Sequence, residues 1–242
     1  RSESIVLMDR FLGDLHALGC NFGFIQGQHD TDVPPWPSGH SNARHLHRQT
    51  LRLGNVVYYG LDYQPVGVLQ QELDDIPTEA HTLLAHQGWA NWLRFEGATQ
   101  GSFADVPTVA RVISGDLHRH IAEVNVGKDN QQLTTISVGA IAQHAINEPS
   151  EHFVLLLDDE GRAAATRLLS RPYMNWVPIL TPGELDDFLR EAPVVLNKRY
   201  EEAVQAGVPE DVAVPWLRLT FGCDVPDVVE RTRNLLAKGV CK

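Results

Sequence analysis

Three apolar runs of strand length in this chain each break off into polar residues, and no other feature limits the fold as much. They are FIQGQHD at 24–30, TLLAHQG at 82–88 and RVISGDLHRH at 111–120. Phe24 and Ile25 suit a buried strand, and Gly27 permits a sharp turn at its end. Between these runs lie stretches with helical spacing. Residues 4–19 carry Ile5, Met8, Leu12 and Leu15 toward a stop at Gly19, and QPVGVLQQELDDIP at 64–77 reads as a second helix. Alternation of helix with apolar strand predicts an α/β sheet protein. Two later strand pairs, IAEVNV with LTTISVG around the turn GKDNQQ and HFVLLLDDEG with AAATRLL, make the sheet mixed.

The remaining segments fill in around this frame. NVVYYGLDY at 55–63 reads as another strand, and TDVPPWPSGHSN at 31–42 as irregular chain because of its Pro, Gly and Ser content. ARHLHRQTLRLG at 43–54 is expected to be helix or turn. Three prolines interrupt SRPYMNWVPILTP at 170–182, which marks a boundary. Beyond it, Thr181, Pro182 and Glu184 form the start signal of a helix, WLRLTFG reads as a strand, and DVPDVVERTRNLLAKG as a closing helix. The expected division is a core over 1–171 and a small α+β domain over 172–242.

Composition excludes some functions. No apolar run approaches the roughly 18 residues of a membrane span, so a soluble, non-membrane protein is expected. Cys20, Cys223 and Cys241 are scattered and odd in number, which suggests a reducing, cytoplasmic setting. A net charge of −11 argues against holding nucleic acid by bulk positive charge. A nuclease whose metal ions carry the positive charge locally remains compatible with it.

The polar ends of the three runs are where α/β sheets assemble active sites. Imidazole, carboxylate and amide together make a mixed nitrogen and oxygen donor set suited to Mn, Fe or Zn. The order GQHD (27–30), LLAHQG (83–88) and GDLH (115–118) resembles the second half of the calcineurin-like metallophosphoesterase pattern, GNH[DE], then a strand ending in His, then GHxH. The stretch at 136–161 is similar to the segment after GHxH in SbcD-type DNA repair nucleases, and the tail with LTPGELDDFL resembles their capping domain.

The resemblance implies a mixed β-sheet sandwich flanked by helices and two-metal hydrolysis of phosphodiesters. It implies that Gln28, His86 and Asp116 hold the second metal and His118 the first. His29 would stabilise the transition state and protonate the leaving oxygen, with Asp30 orienting it. Gln28 departs from the family's Asn, and Asp116 from its His. The added carboxylate favours a harder cation, so two Mn ions are expected, with Mg, Fe or Zn as alternatives. The family's opening D-x-H and Gly-Asp motifs have no counterpart before Gly27. GDLH at 13–16 reads as a helix face instead. Two further strands are therefore expected to precede Arg1.

The resemblance further implies a DNA repair and recombination nuclease, exonuclease or endonuclease, that works with an SbcC-type ATPase and dimerises. A small-molecule phosphatase or phosphodiesterase of the same superfamily, and a binding or structural subunit with a degenerate site, are the rival expectations. Trp36, Arg44 and His120 are candidate substrate contacts. His40, His45 and His47 read as a solvated or substrate-facing loop, Arg44, Arg48 and Arg52 as an exposed row, Trp89 and Trp92 as packing, and His144 as a marginal substrate contact.

Overall fold

The computed structural model describes residues 3–30, 32–93, 99–141, 152–168, 173–176 and 178–219. The chain divides into two compact units, Arg1–Ala140 with Leu155–Thr166, and Ile141–Val154 with Arg167–Lys242. It is a mixed α/β protein with few helices. Among the described residues no helix is long and apolar enough to cross a membrane.

The elements run in the order α1 (Glu3–Ala17), β1 (Phe22–Phe24), β2 (Ala43–His45), β3 (Thr50–Leu53), β4 (Val56–Leu61), α2 (Leu69–Asp74), β5 (Thr82–His86), β6 (Arg111–Gly115), β7 (Ile121–Val126), β8 (Gln132–Ser137), β9 (His152–Leu157), β10 (Ala163–Leu168), β11 (Tyr173–Asn175), α3 (Pro182–Gln205), α4 (Glu210–Ala213) and β12 (Trp216–Arg218). Six strands form one mixed sheet in the order β3-β4-β5-β6-β8-β7. Its centre, β4, β5, β6 and β8, is parallel, and β3 and β7 close the two edges antiparallel. β1 and β2 form a separate parallel pair, and an isolated parallel bridge, His47 to Gly60, joins the chain after β2 to β4.

Burial explains these strands. All six residues of β4 are buried, the continuous apolar run expected in the interior of a parallel sheet. β5 and β6 instead place Leu83, Ala85 and Val112 in the main core with α2's Leu69 and Leu73. Trp89 and Trp92 belong to that core. Both rings meet Phe103, at 4.8 and 4.9 Å between centroids, and their indole N–H groups donate to Ser114 Oγ and Glu123. In the second unit Leu185, Phe188, Ala192 and Leu196 recur along α3 as its buried stripe. Thr181 and Glu184 form a reciprocal capping box at its start, with Pro182 at the first turn.

One segment departs from the sequence reading. Residues 43–54, expected as helix or turn, hold β2 and β3. Arg44, Arg48 and Arg52 mimic a helical row, yet β1 and β4 offer backbone partners on either side, and pairing overrides the spacing. Arg48 sits at φ 53° in the turn between the two strands. Its guanidinium grips Glu72 of α2 through two bonds, Nε to Oε2 at 2.8 Å and a second from Nη2 to Oε1. The closing helix expected at 224–239 and His144 lie outside the described residues.

The Arg48 bond holds the Glu72 carboxyl below its ordinary value of 4.5. A lowered folded value means the unfolded chain binds more protons. The contribution of Glu72 to stability is therefore present above about pH 4.5 and lost as pH falls through the lower folded value. Glu72→Gln should lower the urea midpoint at pH 7, and the gap to wild type should close as pH is brought below 4. A gap that stays constant with pH would show that the ion pair is not its source.

Candidate functional site

The parallel strands all run the same way, so their carboxyl ends share one edge of the sheet. His86 is the last residue of β5 and lies in register with Gly115, the last of β6. Its imidazole fits against two glycines. A Cβ added at Gly27 would lie 2.9 Å from His86 Nε2, and one added at Gly115 only 2.6 Å from Nδ1. Real Cβ atoms do not come that close, so both glycines are required for the ring to occupy this place. Asp116 follows in the left-handed region at φ 78°, which a short polar side chain tolerates better than a bulky one.

That backbone turn brings Asp116 to the ring. Its Oδ1 stands 3.8 Å from His86 Nε2 and accepts a 2.8 Å bond from the Gln28 amide. Gln28, His86 and Asp116 therefore meet at one point. Burial pushes the His86 imidazole below its ordinary value, against the opposing pull of Asp116 and Asp30. The ring is neutral at pH 7, the form that ligates a metal. His29 and His118 are near enough to oppose a proton on the His86 ring, although His29 and His86 line different cavities.

The other residues singled out in the sequence divide into neighbours and outsiders. Asp30 closes the GQHD turn, because its Oδ2 accepts the Gly27 amide at 2.9 Å and its own N–H donates to Gly27 O at 3.0 Å. His29, on the same turn, is exposed and lines a cavity of about 270 Å³ together with Trp36, Phe22, Ile5 and Met8. Trp36 meets His40 edge-on at 6.3 Å. Arg44 is turned to the β2–β3 connection, where its guanidinium donates to Thr50 O. His120 lies just before β7, its backbone packed against Gly139.

Asp62, not singled out in the sequence, and His45, read there as part of a solvated or substrate-facing loop, also lie beside the site. Asp62 ends the apolar run of β4 just as His86 ends β5, and His45 ends β2. His45 Nε2 and Asp62 Oδ2 are 2.8 Å apart, and Asp62 Oδ1 accepts the Gln26 amide at 2.7 Å. The signal for Asp62 was the same as for the others, a carboxylate closing a buried strand.

Among the described residues no group of three or more His, Cys, Asp and Glu is arranged to hold a metal ion. At the His86 centre the third donor is an amide, that of Gln28, beside one imidazole and one carboxylate. No family model matches the chain, and no curated protein matches it.

Gly115→Ala should force the His86 ring out of its place. We expect a loss of about 1–3 kcal/mol in stability by denaturant unfolding, the usual cost of overpacking, together with a moved His86 imidazole resonance. An unmoved resonance would mean that the ring does not depend on this gap.

Proposed function

We propose that this chain is a metal-dependent phosphodiesterase acting on DNA, an SbcD-like nuclease subunit of the calcineurin-like metallophosphoesterase fold that works with an SbcC-type ATPase. The observation that supports it is the approach of Gln28 and His86 to Asp116 at the carboxyl edge of a parallel sheet, with His29 on the same turn as Gln28. The ordered GQHD, strand-His and GDLH motifs of the sequence are the source of those residues.

The residue types suit a divalent cation, provided the Gln28 amide, whose N–H is here given to Asp116, turns its oxygen to the ion. A neutral imidazole, a carboxylate and an amide oxygen are ligands that Mn accepts, and the carboxylate favours Mn over the softer preference of Zn. Gln28, His86 and Asp116 would hold one ion, and His118 belongs to the side of a second. Bound ions would supply positive charge to the phosphate and acidify the attacking water. The remaining work falls to the chain's own residues. His29, exposed on the turn, would give a proton to the leaving oxygen. Asp30 keeps the turn closed so that Gln28 and His29 stay at fixed separation.

A chain of net charge −11 gains its attraction for DNA locally at such ions, and a partner ATPase would add the rest of the grip. The two-metal form, the DNA substrate and the partner follow from the motif resemblance. The cation set follows from the donors.

The test is Mn²⁺ titration followed by electron paramagnetic resonance, with hydrolysis of bis-p-nitrophenyl phosphate and of linear duplex DNA as readouts. His86→Ala should abolish Mn²⁺ binding and both activities. His29→Ala should lower kcat by about 10²–10⁴-fold, the usual worth of a general acid, while Mn²⁺ affinity stays unchanged. Hydrolysis of the small diester without DNA cleavage would shift the assignment to a small-molecule phosphodiesterase. A wild-type chain that binds no Mn²⁺ would make it a binding or structural subunit.

A further inference from the structure

Asp62 is bonded on every side. Its carboxylate accepts the Gln26 amide through Oδ1 at 2.7 Å and His45 Nε2 through Oδ2 at 2.8 Å. Its own N–H donates to His47 Nδ1 at 3.2 Å, and its carbonyl accepts the Gln87 side-chain amide at 3.1 Å. The next residue, Tyr63, donates its N–H to Gln26 O at 2.9 Å. Gln26 is therefore held at both its N–H and its C=O by the end of β4, immediately before the Gly27–Asp30 turn begins. Gln87 directly follows His86. Asp62 thus joins the two chain segments that carry Gln28 and His86, its carboxylate holding Gln26 and its main-chain carbonyl holding Gln87.

His45 fixes that carboxylate in turn. Its ring stacks on Phe24 at 5.1 Å and on His47 at 6.0 Å, and the Asp62 side chain is only 13% exposed. With Oδ2 engaged by His45, Oδ1 is directed at the Gln26 amide. Neither residue reaches the reacting centre itself. Both act through the backbone that leads into it.

We propose that Asp62, oriented by His45, is a positioning residue that sets the Gly27–Asp30 turn against His86 and Asp116. The inference rests on the metal-dependent phosphodiesterase reading for its catalytic consequence, and on the hydrogen bonds alone for its structural one.

Two kinds of measurement separate these. In the apo chain, amide resonances of Gly27, Gln28, His29 and Asp116 report where the turn sits. With Mn²⁺, the dissociation constant and the kcat and KM for bis-p-nitrophenyl phosphate report its effect. His45→Gln keeps an N–H donor for Asp62, whereas His45→Phe keeps a ring on Phe24 and removes the donor. Asp62→Asn keeps an acceptor for Gln26, and Asp62→Ala does not. We expect His45→Phe and Asp62→Ala to move those resonances, to weaken Mn²⁺ binding about 10-fold, and to lower kcat by a similar factor with little change in KM. His45→Gln should stay within about two-fold of wild type, and Asp62→Asn should fall between. Unmoved amide resonances in His45→Phe would overturn the proposal, even if its activity fell. So would a loss in His45→Gln equal to that in His45→Phe, since the hydrogen-bond donor would then not matter. Moved resonances in a chain that neither binds Mn²⁺ nor hydrolyses the diester would leave the positioning intact and overturn the phosphodiesterase reading instead.

Discussion

The imidazole of His86 occupies a gap that exists only because Gly27 and Gly115 lack side chains. The candidate site is arranged about that ring. Gly27 opens the turn that carries Gln28 and His29, and Gly115 opens the turn that carries Asp116. Neither glycine adopts a positive φ, so what each supplies is room for the ring. The ring's direction follows from main-chain geometry, and main-chain geometry follows from the parallel ladder of β4, β5, β6 and β8.

That ladder also sets the electrostatics. Parallel strands end on a common edge, and here the edge collects Asp62, His86 and Asp116 beside the turn after β1. Burial disfavours a charged imidazole while two carboxylates favour it, and for His86 burial prevails. A neutral ring beside a carboxylate and an amide is a donor set rather than an ion pair. The opposite outcome holds at Arg48 and Glu72, where an ever-charged guanidinium in bonding distance wins over burial and keeps the carboxylate ionised. The first pair is suited to take up a cation, and the second to hold α2 against the β2–β3 turn.

Much of this was legible in the sequence, for reasons that differ by element. β5 and β6 were readable because an apolar run of strand length ends at a glycine or a polar residue in each. α3 was readable from Thr181, Pro182 and Glu184, whose start signals are local and agree with its buried stripe. β2 and β3 were not, because Arg44, Arg48 and Arg52 repeat every four residues and the strands are three and four residues long. Such short strands exist through their neighbours and leave little pattern of their own. The pairing of His45, read as a solvated or substrate-facing loop residue, with Asp62, not singled out, was missed for a related reason. Neither has meaning alone, and the contact that joins them spans 17 positions. Asp30 was singled out in the sequence for its motif, while its bond to the Gly27 amide, a three-residue closure, emerged only from the folded turn.

The way Gln26 is held has a consequence for how this chain tolerates change over evolutionary time. Its anchoring bonds lie on the strand side of the turn, at residues 26, 62 and 63, and the turn is closed within residues 27–30. The proline-rich stretch that follows adds one exposed bond, from the Gln26 side-chain amide to Asp32 O at 3.3 Å. Lengthening a surface connection costs little entropy, about 0.6 kcal/mol for each doubling. Insertions and deletions between residue 32 and β2 can therefore accumulate without shifting His29 against His86. That stretch, with Trp36 in it, is the part of the molecule where related chains can diverge in what they admit to the cavity while the centre beside it stays the same.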